Sequence, residues 1–209
     1  MTITATTVDA DFIHVFEPGS DPAGRPLLLL HGTGGDERDL LSLGRTVAPG
    51  GSLLSPRGKV LEGAAPRFFR RLAEGVFDEA DLRRGTDELA EFVLAARERY
   101  GLPAPIALGF SNGANIAAAL LLQRPEILAG AALLRAMVPF TEPPRADLAG
   151  KPVLILSGAL DPIVPKANAE ALARQLGESG AAVEHRVLPA GHGLGQADIG
   201  LLKDWLARR

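Results

Sequence analysis

The sequence PIALGFSNGANIAAALLLQRP, residues 105–125, places one serine between two glycines where an apolar run gives way to an alanine-rich one. The first pattern is typical of a buried strand and the second of a helix. The chain must reverse tightly at Ser111 to pass from the strand into the helix, and this strains the backbone of Ser111. Glycine at 109 and 113 avoids side chains that would clash with the strand and the helix. The amide of Asn112 is then unpaired at a helix N-terminus and faces developing negative charge.

The rest of the chain repeats this change from strand to helix. Short apolar runs alternate with longer segments of helical periodicity, which predicts an α/β fold with a mostly parallel, doubly wound sheet and helices on both faces. One helix is expected at 85–101, with Thr86 as N-cap and Gly101 as its end. The Pro-rich stretch 138–152 reads as a surface connection. The other predicted strands and helices are strands 12–16, 25–32, 51–56, 104–110, 129–136, 151–158 and 181–189, and helices 112–125, 165–180 and 196–209.

Length, charge and composition limit the class of protein. A chain of 209 residues with 46% apolar residues suits one domain, 1–209, with a substantial core. The net charge of −3 offers no basic surface to nucleic acid or to a membrane. The absence of cysteine excludes disulfides, thiolate zinc sites and a cysteine nucleophile. No secretion signal or membrane-spanning run is evident, so a cytoplasmic location is expected.

Chemically active residues follow four of the predicted strands. They are Ser111, Asp161, His192 and the glycine-rich turn 31–35. Ligands of such sheets bind at the carboxyl ends of the strands. A serine hydroxyl needs a base that takes its proton, and the base needs a carboxylate that fixes its tautomer. Ser111, His192 and Asp161 are therefore the candidate nucleophile, base and carboxylate, in the chain order Ser, Asp, His that this arrangement uses.

The turn HGTGGDERDL, residues 31–40, has two interpretations. A phosphate cradle is disfavoured, because the turn lacks both the Lys-Ser/Thr of a P-loop and the third glycine of a dinucleotide fingerprint. An oxyanion hole is favoured, in which the backbone amides of Thr33 and Asn112 surround the tetrahedral oxyanion. We expect His31 to fix the loop by hydrogen bonding and Asp36 to cap a helix.

Other polar residues are assigned structural roles. His14 and His185 lie within predicted strands. Asp147 and Asp198 are fallback carboxylates, expected to be solvated or to cap helices. Arg135 follows an apolar strand and either reaches the site or forms an ion pair beneath it.

The segment 60–85 departs from clean periodicity and leaves two alternatives open. It is either a helical excursion whose aromatic side chains complete the core, or a short cap or flap whose aromatic side chains line an acyl or aryl pocket. Its arginines at 67, 70 and 71 read as a solvated face, with recognition of an acidic substrate group as the alternative. The candidate substrate-binding residues are Phe68, Phe69, Phe77, Met137 and Leu160.

Six motifs together resemble a known family over nearly the whole chain. They are similar to the small carboxylesterase/phospholipase and acyl-protein thioesterase branch of the α/β-hydrolase superfamily, and more narrowly to bacterial predicted esterases, some associated with quinone or hydroquinone resistance. The motifs are HGTGGDERDL (31–40), SPRG (55–58), PRFFRRLAEGVFDEADL (66–82), GFSNGAN (109–115), LSGALDPIVP (156–165) and AGHGL (190–194).

The resemblance implies a single α/β-hydrolase domain without a large lid, and it favours a homodimer. It assigns the nucleophile to Ser111, its partners to Asp161 and His192, and the oxyanion amides to Thr33 and Asn112. The thioesterases carry glutamine where this chain has Asn112. Only the backbone amide is needed there, so the difference bears on long-chain specificity and not on catalysis.

The leading hypothesis is a serine carboxylesterase that hydrolyses small esters through an acyl-enzyme, with no cofactor and no metal. The alternative is an acyl thioesterase or lysophospholipase on the same three residues. A third hypothesis, from another class, is a binding protein that keeps the fold without turnover.

Overall fold

The computed structural model describes residues 12–21 and 24–209, and these residues form eleven strands and five helices. The segment 1–11, on which part of the signal-peptide prediction rests, lies outside them. The strands are β1 (His14–Glu17), β2 (Leu27–Leu30), β3 (Leu53–Pro56), β4 (Val60–Glu62), β5 (Ala65–Arg67), β6 (Arg71–Ala73), β7 (Val76–Phe77), β8 (Ile106–Phe110), β9 (Gly130–Leu134), β10 (Pro152–Gly158) and β11 (Ala182–Leu188). The helices are α1 (Leu41–Val47), α2 (Glu79–Tyr100), α3 (Asn112–Gln123), α4 (Lys166–Glu178) and α5 (Gln196–Leu206).

Seven strands form one central sheet in the order β1-β3-β2-β8-β9-β10-β11. β1 is antiparallel to β3, and the other neighbouring strands are parallel. The register aligns Leu28, Ala107, Ala131 and Val153 in one row across four strands. The mostly parallel sheet expected from the strand–helix alternation is thereby confirmed.

The sheet is buried on both faces because helices cover both. Side chains alternate along a strand, so Leu28 and Leu30 pack in one core cluster with α2, α3 and α4, while Leu27 and Leu29 pack in a second cluster with α1 and α5. This explains why the inner strands read as unbroken apolar runs. No helix in the described part of the chain is both long and apolar enough to cross a membrane.

The predicted start of α2 at Thr86 is wrong. The helix begins at Glu79, and the Asp78 side chain caps it by accepting a hydrogen bond from the Asp81 amide at 3.0 Å. Thr86 lies inside the helix and donates to the Leu82 carbonyl at 2.7 Å. Gly85 looks like a helix breaker in the sequence, but a Cβ there would lie 2.8 Å from the Phe68 carbonyl oxygen. It therefore permits close packing of the helix.

The segment 60–85 forms two short antiparallel hairpins, β4–β5 and β6–β7, before α2 begins. The helical alternative for this segment is wrong in its secondary structure. The expectation that its aromatic side chains complete the core holds for Phe68 and Phe69. These two residues lie between the hairpins, are only 4% and 0% exposed, and belong to the core. The connection 138–152 contains no helix and reaches a strand only at its last residue, and it is anchored by the buried Phe140 and Leu148.

Candidate active site

Ser111 lies at the turn between β8 and α3 with a backbone φ of 52° and ψ of −113°. The space around this turn admits no side chain at the flanking glycines. A Cβ at Gly109 would lie 2.5 Å from the Gly113 carbonyl oxygen, and a Cβ at Gly113 would lie 2.0 Å from the Leu30 carbonyl oxygen. The backbone is held on both sides, since Ser111 donates to the Leu134 carbonyl and accepts from the Asn115 amide, each at 2.9 Å.

The structure brings Ser111, His192 and Asp161 together. His192 Nε2 lies 2.9 Å from Ser111 Oγ, and His192 Nδ1 lies 2.9 Å from Asp161 Oδ2. The other Asp161 oxygen, Oδ1, accepts from the amides of Ile163 at 2.8 Å and Val164 at 3.0 Å.

The surroundings of Asp161 fix the tautomer of the histidine that faces it. Burial opposes ionisation of Asp161, but the hydrogen bonds from Val164, His192 and Ile163 outweigh it and hold the pKa of this carboxyl below its ordinary value. Next to an ionised carboxylate, Nδ1 of His192 carries the proton. Nε2 is then left to accept from Ser111.

Two residues beside Ser111 are the predicted donors to the oxyanion. Thr33 and Asn112 both line the same cavity as Ser111, and within residues 12–21 and 24–209 neither backbone amide donates to another protein group. Side-chain bonds hold both residues: Arg67 Nη1 donates to Thr33 Oγ1 at 2.6 Å, and Asn112 Oδ1 accepts from the Phe68 amide at 2.8 Å. The contact from Arg67 to Thr33 was not found from the sequence, because a run of arginines reads as a solvated surface.

His31 fixes the loop after β2, as expected. Its Nδ1 lies 2.7 Å from the Gly32 carbonyl oxygen, and the Gly58 amide donates to its Nε2 at 2.9 Å. An Nε2 that accepts a hydrogen bond is unprotonated, so Nδ1 is the donor and the ring is neutral. Burial lowers the pKa of His31, which favours the same neutral form.

Asp36 was expected to cap a helix, and His14 and His185 were expected to have structural roles. Asp36 does not cap α1: its Oδ1 accepts from the Arg38 amide at 2.8 Å in a turn that precedes the helix. His14 bonds the Phe12 carbonyl and the Tyr100 hydroxyl, and His185 bonds the Ser157 hydroxyl, all within the sheet and its packing.

The cavity over Ser111 has a volume of about 320 Å³. Of the expected substrate-binding residues, Phe77 and Met137 line it. Phe68 and Phe69 do not, because their rings are buried in the core; Leu160 does not either, since its side chain is 74% exposed to solvent. The lining residues are Thr33, Arg67, Arg71, Glu74, Gly75, Phe77, Phe110, Ser111, Asn112, Asn115, Arg135, Met137, Ile163, Val164 and His192.

In the part of the chain that the structure describes, neither fallback carboxylate bonds His192. Asp147 Oδ1 accepts from the Ala149 amide at 3.0 Å. Asp198 is 1% exposed and forms an ion pair with Arg135. Arg135 also lines the cavity over Ser111, so both alternatives for that arginine hold. In the described part of the chain, no three His, Asp or Glu side chains are grouped as they would be around a metal ion.

The sheet topology and the turn at Ser111 are those of the α/β-hydrolase fold. The family model of the alpha/beta hydrolase fold matches residues 51–151, and the model of TAP-like proteins matches residues 135–198. The chain belongs to the α/β-hydrolase family, which confirms the resemblance.

Similar proteins agree with this assignment. The chain is 46% identical over 194 residues to the Bacillus subtilis (strain 168) protein named "Putative hydrolase MhqD", and the match covers 92% of this chain and 96% of that protein. The Bacillus cereus carboxylesterase structure has 46% identity and a TM-score of 0.93, and the match covers 96% of this chain and 95% of that one. The carboxylesterase from Mesorhizobium loti has 35% identity, coverage of 97% and 98%, and a TM-score of 0.91. The protein is thus a hydrolase of the α/β fold.

Proposed function

We propose that the protein is a serine carboxylesterase that hydrolyses small carboxylic esters. The observation that carries this proposal is the continuous path from Ser111 Oγ through His192 to the Asp161 carboxylate, with 2.9 Å at each step. This is the arrangement that activates a serine hydroxyl for attack on an acyl carbon.

The first half-reaction forms the acyl-enzyme. Ser111 Oγ attacks the ester carbonyl carbon while His192 Nε2 takes the hydroxyl proton, and Asp161 stabilises the resulting imidazolium. The oxyanion of the tetrahedral intermediate accepts hydrogen bonds from the amides of Thr33 and Asn112. His192 then gives its proton to the leaving alcohol oxygen as the C–O bond breaks.

The second half-reaction returns the enzyme to its starting state. A water molecule attacks the acyl carbon and transfers a proton to His192 Nε2. The tetrahedral intermediate collapses, the bond to Ser111 Oγ breaks, and His192 returns the proton to that oxygen. The carboxylic acid leaves, and no other group is consumed.

The shape of the cavity supports small esters. Its volume of about 320 Å³ is near the lower end of the range for small-molecule sites, about 300–1,000 Å³. Phe77, Met137 and Val164 pack in one apolar cluster and line the cavity, where they can receive a short acyl or alcohol group. The carboxylesterase names of two similar structures favour the same substrate class.

Hydrolysis of p-nitrophenyl acetate, butyrate and decanoate tests the proposal, with Ser111→Ala as the matched control. We expect kcat/KM to fall as the acyl chain lengthens and turnover to disappear in the variant. A preference for decanoate, or for acyl thioesters over esters, would transfer the assignment to a lysophospholipase or thioesterase. Turnover of no substrate would favour the non-catalytic binding protein.

A cytoplasmic location, a homodimer and a single domain over 1–209 stay predictions. Light scattering on the purified protein would measure the oligomeric state, and limited proteolysis would reveal a domain boundary.

A further inference from the structure

Arg135 and Asp198 form a buried ion pair next to the loop that carries His192. Their side chains are 0% and 1% exposed, and the contact is bidentate, with Nη1 at 2.8 Å from Oδ1 and Nη2 at 2.9 Å from Oδ2. Arg135 directly follows β9 and has a φ of 57°, which is uncommon for a residue with a side chain. Asp198 lies in the first turn of α5.

All five N–H donors of the guanidinium are used. Two bond Asp198, and Nη1 also bonds the Leu156 carbonyl at 3.2 Å. The remaining two bond the carbonyls of the residues immediately before and after His192: Nε donates to Gly191 at 2.9 Å, and Nη2 donates to Gly193 at 3.1 Å. One planar side chain therefore holds both neighbours of His192 in fixed positions.

Asp198 holds the far end of the same loop. Its Oδ2 accepts from the Gly195 amide at 2.9 Å, in addition to its contact with Arg135. The loop between β11 and α5 is rich in glycine, so it has little conformational preference of its own. The ion pair supplies the restraint that the local sequence lacks.

Stability alone is a weak explanation for this pair. Two buried charges lose hydration, and well-packed apolar side chains in their place are often neutral or stabilising. The guanidinium makes directional contacts that an apolar group cannot replace, and two of these act on the backbone on either side of His192.

We propose that Arg135 and Asp198 are positioning residues for His192, which keep its Nε2 in line with Ser111 Oγ. This inference rests on the proposed serine esterase function. A small displacement of a catalytic group can cost about 100-fold in rate. Arg135 also lines the cavity, but protein groups take all five of its N–H donors, so none is left to bind an ester. The pair therefore affects kcat through the orientation of the imidazole, while ester binding changes little.

The test uses the full-length protein and the double variant Arg135→Met/Asp198→Asn, compared with Arg135→Met alone. The single variant leaves a buried unpaired carboxylate and loses thermal stability. The double variant removes both charges, and the introduced amide oxygen can still accept from Gly195, so we expect it to regain part of the lost Tm. Its kcat for p-nitrophenyl acetate should stay about 10–100-fold low, with KM within about threefold of wild type.

A proton NMR measurement gives a readout independent of turnover. We expect the low-field signal of the His192 Nδ1 proton, which faces Asp161, to broaden or disappear in the double variant at a temperature where the protein is folded. Arg124→Met is the matched control, because Arg124 also binds two carboxylates, Glu126 and Glu91, but lies at the opposite end of α3 from Ser111. It should leave kcat and the signal unchanged.

Wild-type kcat and an unchanged low-field signal in the folded double variant would overturn the positioning role. If that variant does not fold, Arg135→Lys is used instead: it keeps a charge opposite Asp198 but lacks the planar fork that bonds both Gly191 and Gly193, so the same two outcomes decide. Failure of the proposed function would look different, because the wild-type protein itself would then hydrolyse no ester while the NMR comparison still reported on His192.

Discussion

His192 Nε2 lies 2.9 Å from Ser111 Oγ although the two residues are 81 positions apart in the sequence. The parallel sheet explains this proximity, since Ser111 follows β8 and His192 follows β11 at the same edge. The contact depends on the absence of side chains at Gly109 and Gly113, which lets the turn at Ser111 form. It also depends on the hydrogen bonds from Arg135 that restrain the loop around His192. Each can be tested by substitution.

Asp161→Asn should lower kcat about 10³–10⁴-fold with a small change in KM, because an amide no longer holds His192 in the required tautomer. Steady-state hydrolysis of p-nitrophenyl acetate measures both constants. Asp147→Asn is the control, since Asp147 bonds only a nearby backbone amide among the contacts seen for its side chain. Equal effects of the two substitutions would contradict the assignment of Asp161.

Gly113→Ala should abolish activity and lower Tm by about 10 °C or more, because the added Cβ would collide with the Leu30 carbonyl at 2.0 Å. Gly177→Ala, in α4, adds the same methyl group where nothing lies within 4 Å. It should leave activity unchanged and raise Tm slightly, since alanine favours a helix. A fully active Gly113→Ala protein would show that the turn is less tightly packed than described.

Met137→Ala should raise the ratio of kcat/KM for decanoate over acetate. Met137 lines the cavity over Ser111, so a shorter side chain makes room for a longer acyl group. Phe69→Ala is the contrasting variant: its ring is fully buried in the core, and we expect a loss of about 3–5 kcal/mol in stability without a change in chain-length preference. Chain-length profiles and urea unfolding separate the two effects, and a shifted profile in Phe69→Ala would return that residue to the substrate pocket.

The free energy of unfolding should fall as the pH drops below 6.5, the ordinary pKa of a histidine side chain. Burial lowers the pKa of His31 in the folded state, so between that lowered pKa and 6.5 the unfolded chain binds more protons. Acidification through this window therefore favours unfolding. His31→Gln cannot titrate, and its stability should fall less between about pH 7.5 and about pH 5.5.

Burial also lowers the pKa of His185, but that residue is present in both proteins and its contribution cancels in the comparison. Chemical denaturation at the two pH values gives the required free energies. Identical losses in wild type and His31→Gln would show that His31 does not contribute to the pH dependence.

The central sheet was predictable because its strands carry strong local signals. β2 is four consecutive buried leucines, and β8 and α3 meet at a turn that needs both glycines. The rule that ligands bind at the carboxyl ends of parallel strands then predicts that Ser111 and His192 lie at one edge of the sheet.

The hairpins and the buried ion pair were harder to predict for different reasons. Strands β4 to β7 have only two or three residues each, too few to show a period of two. The partner of Arg135 is 63 positions away, and no local pattern pairs the two residues. An arginine directly after an unbroken apolar strand was the available signal, since such a position is buried and a buried guanidinium requires a partner.

The most direct test of the central claim is intact-protein mass spectrometry after treatment with a fluorophosphonate, run beside Ser111→Ala. A serine activated by His192 attacks the phosphorus and displaces fluoride, so the wild-type protein should gain the mass of one phosphonyl group. The variant should gain none. An unmodified wild-type protein, or an equal adduct on Ser111→Ala, would contradict the claim that Ser111 is the activated nucleophile of this hydrolase.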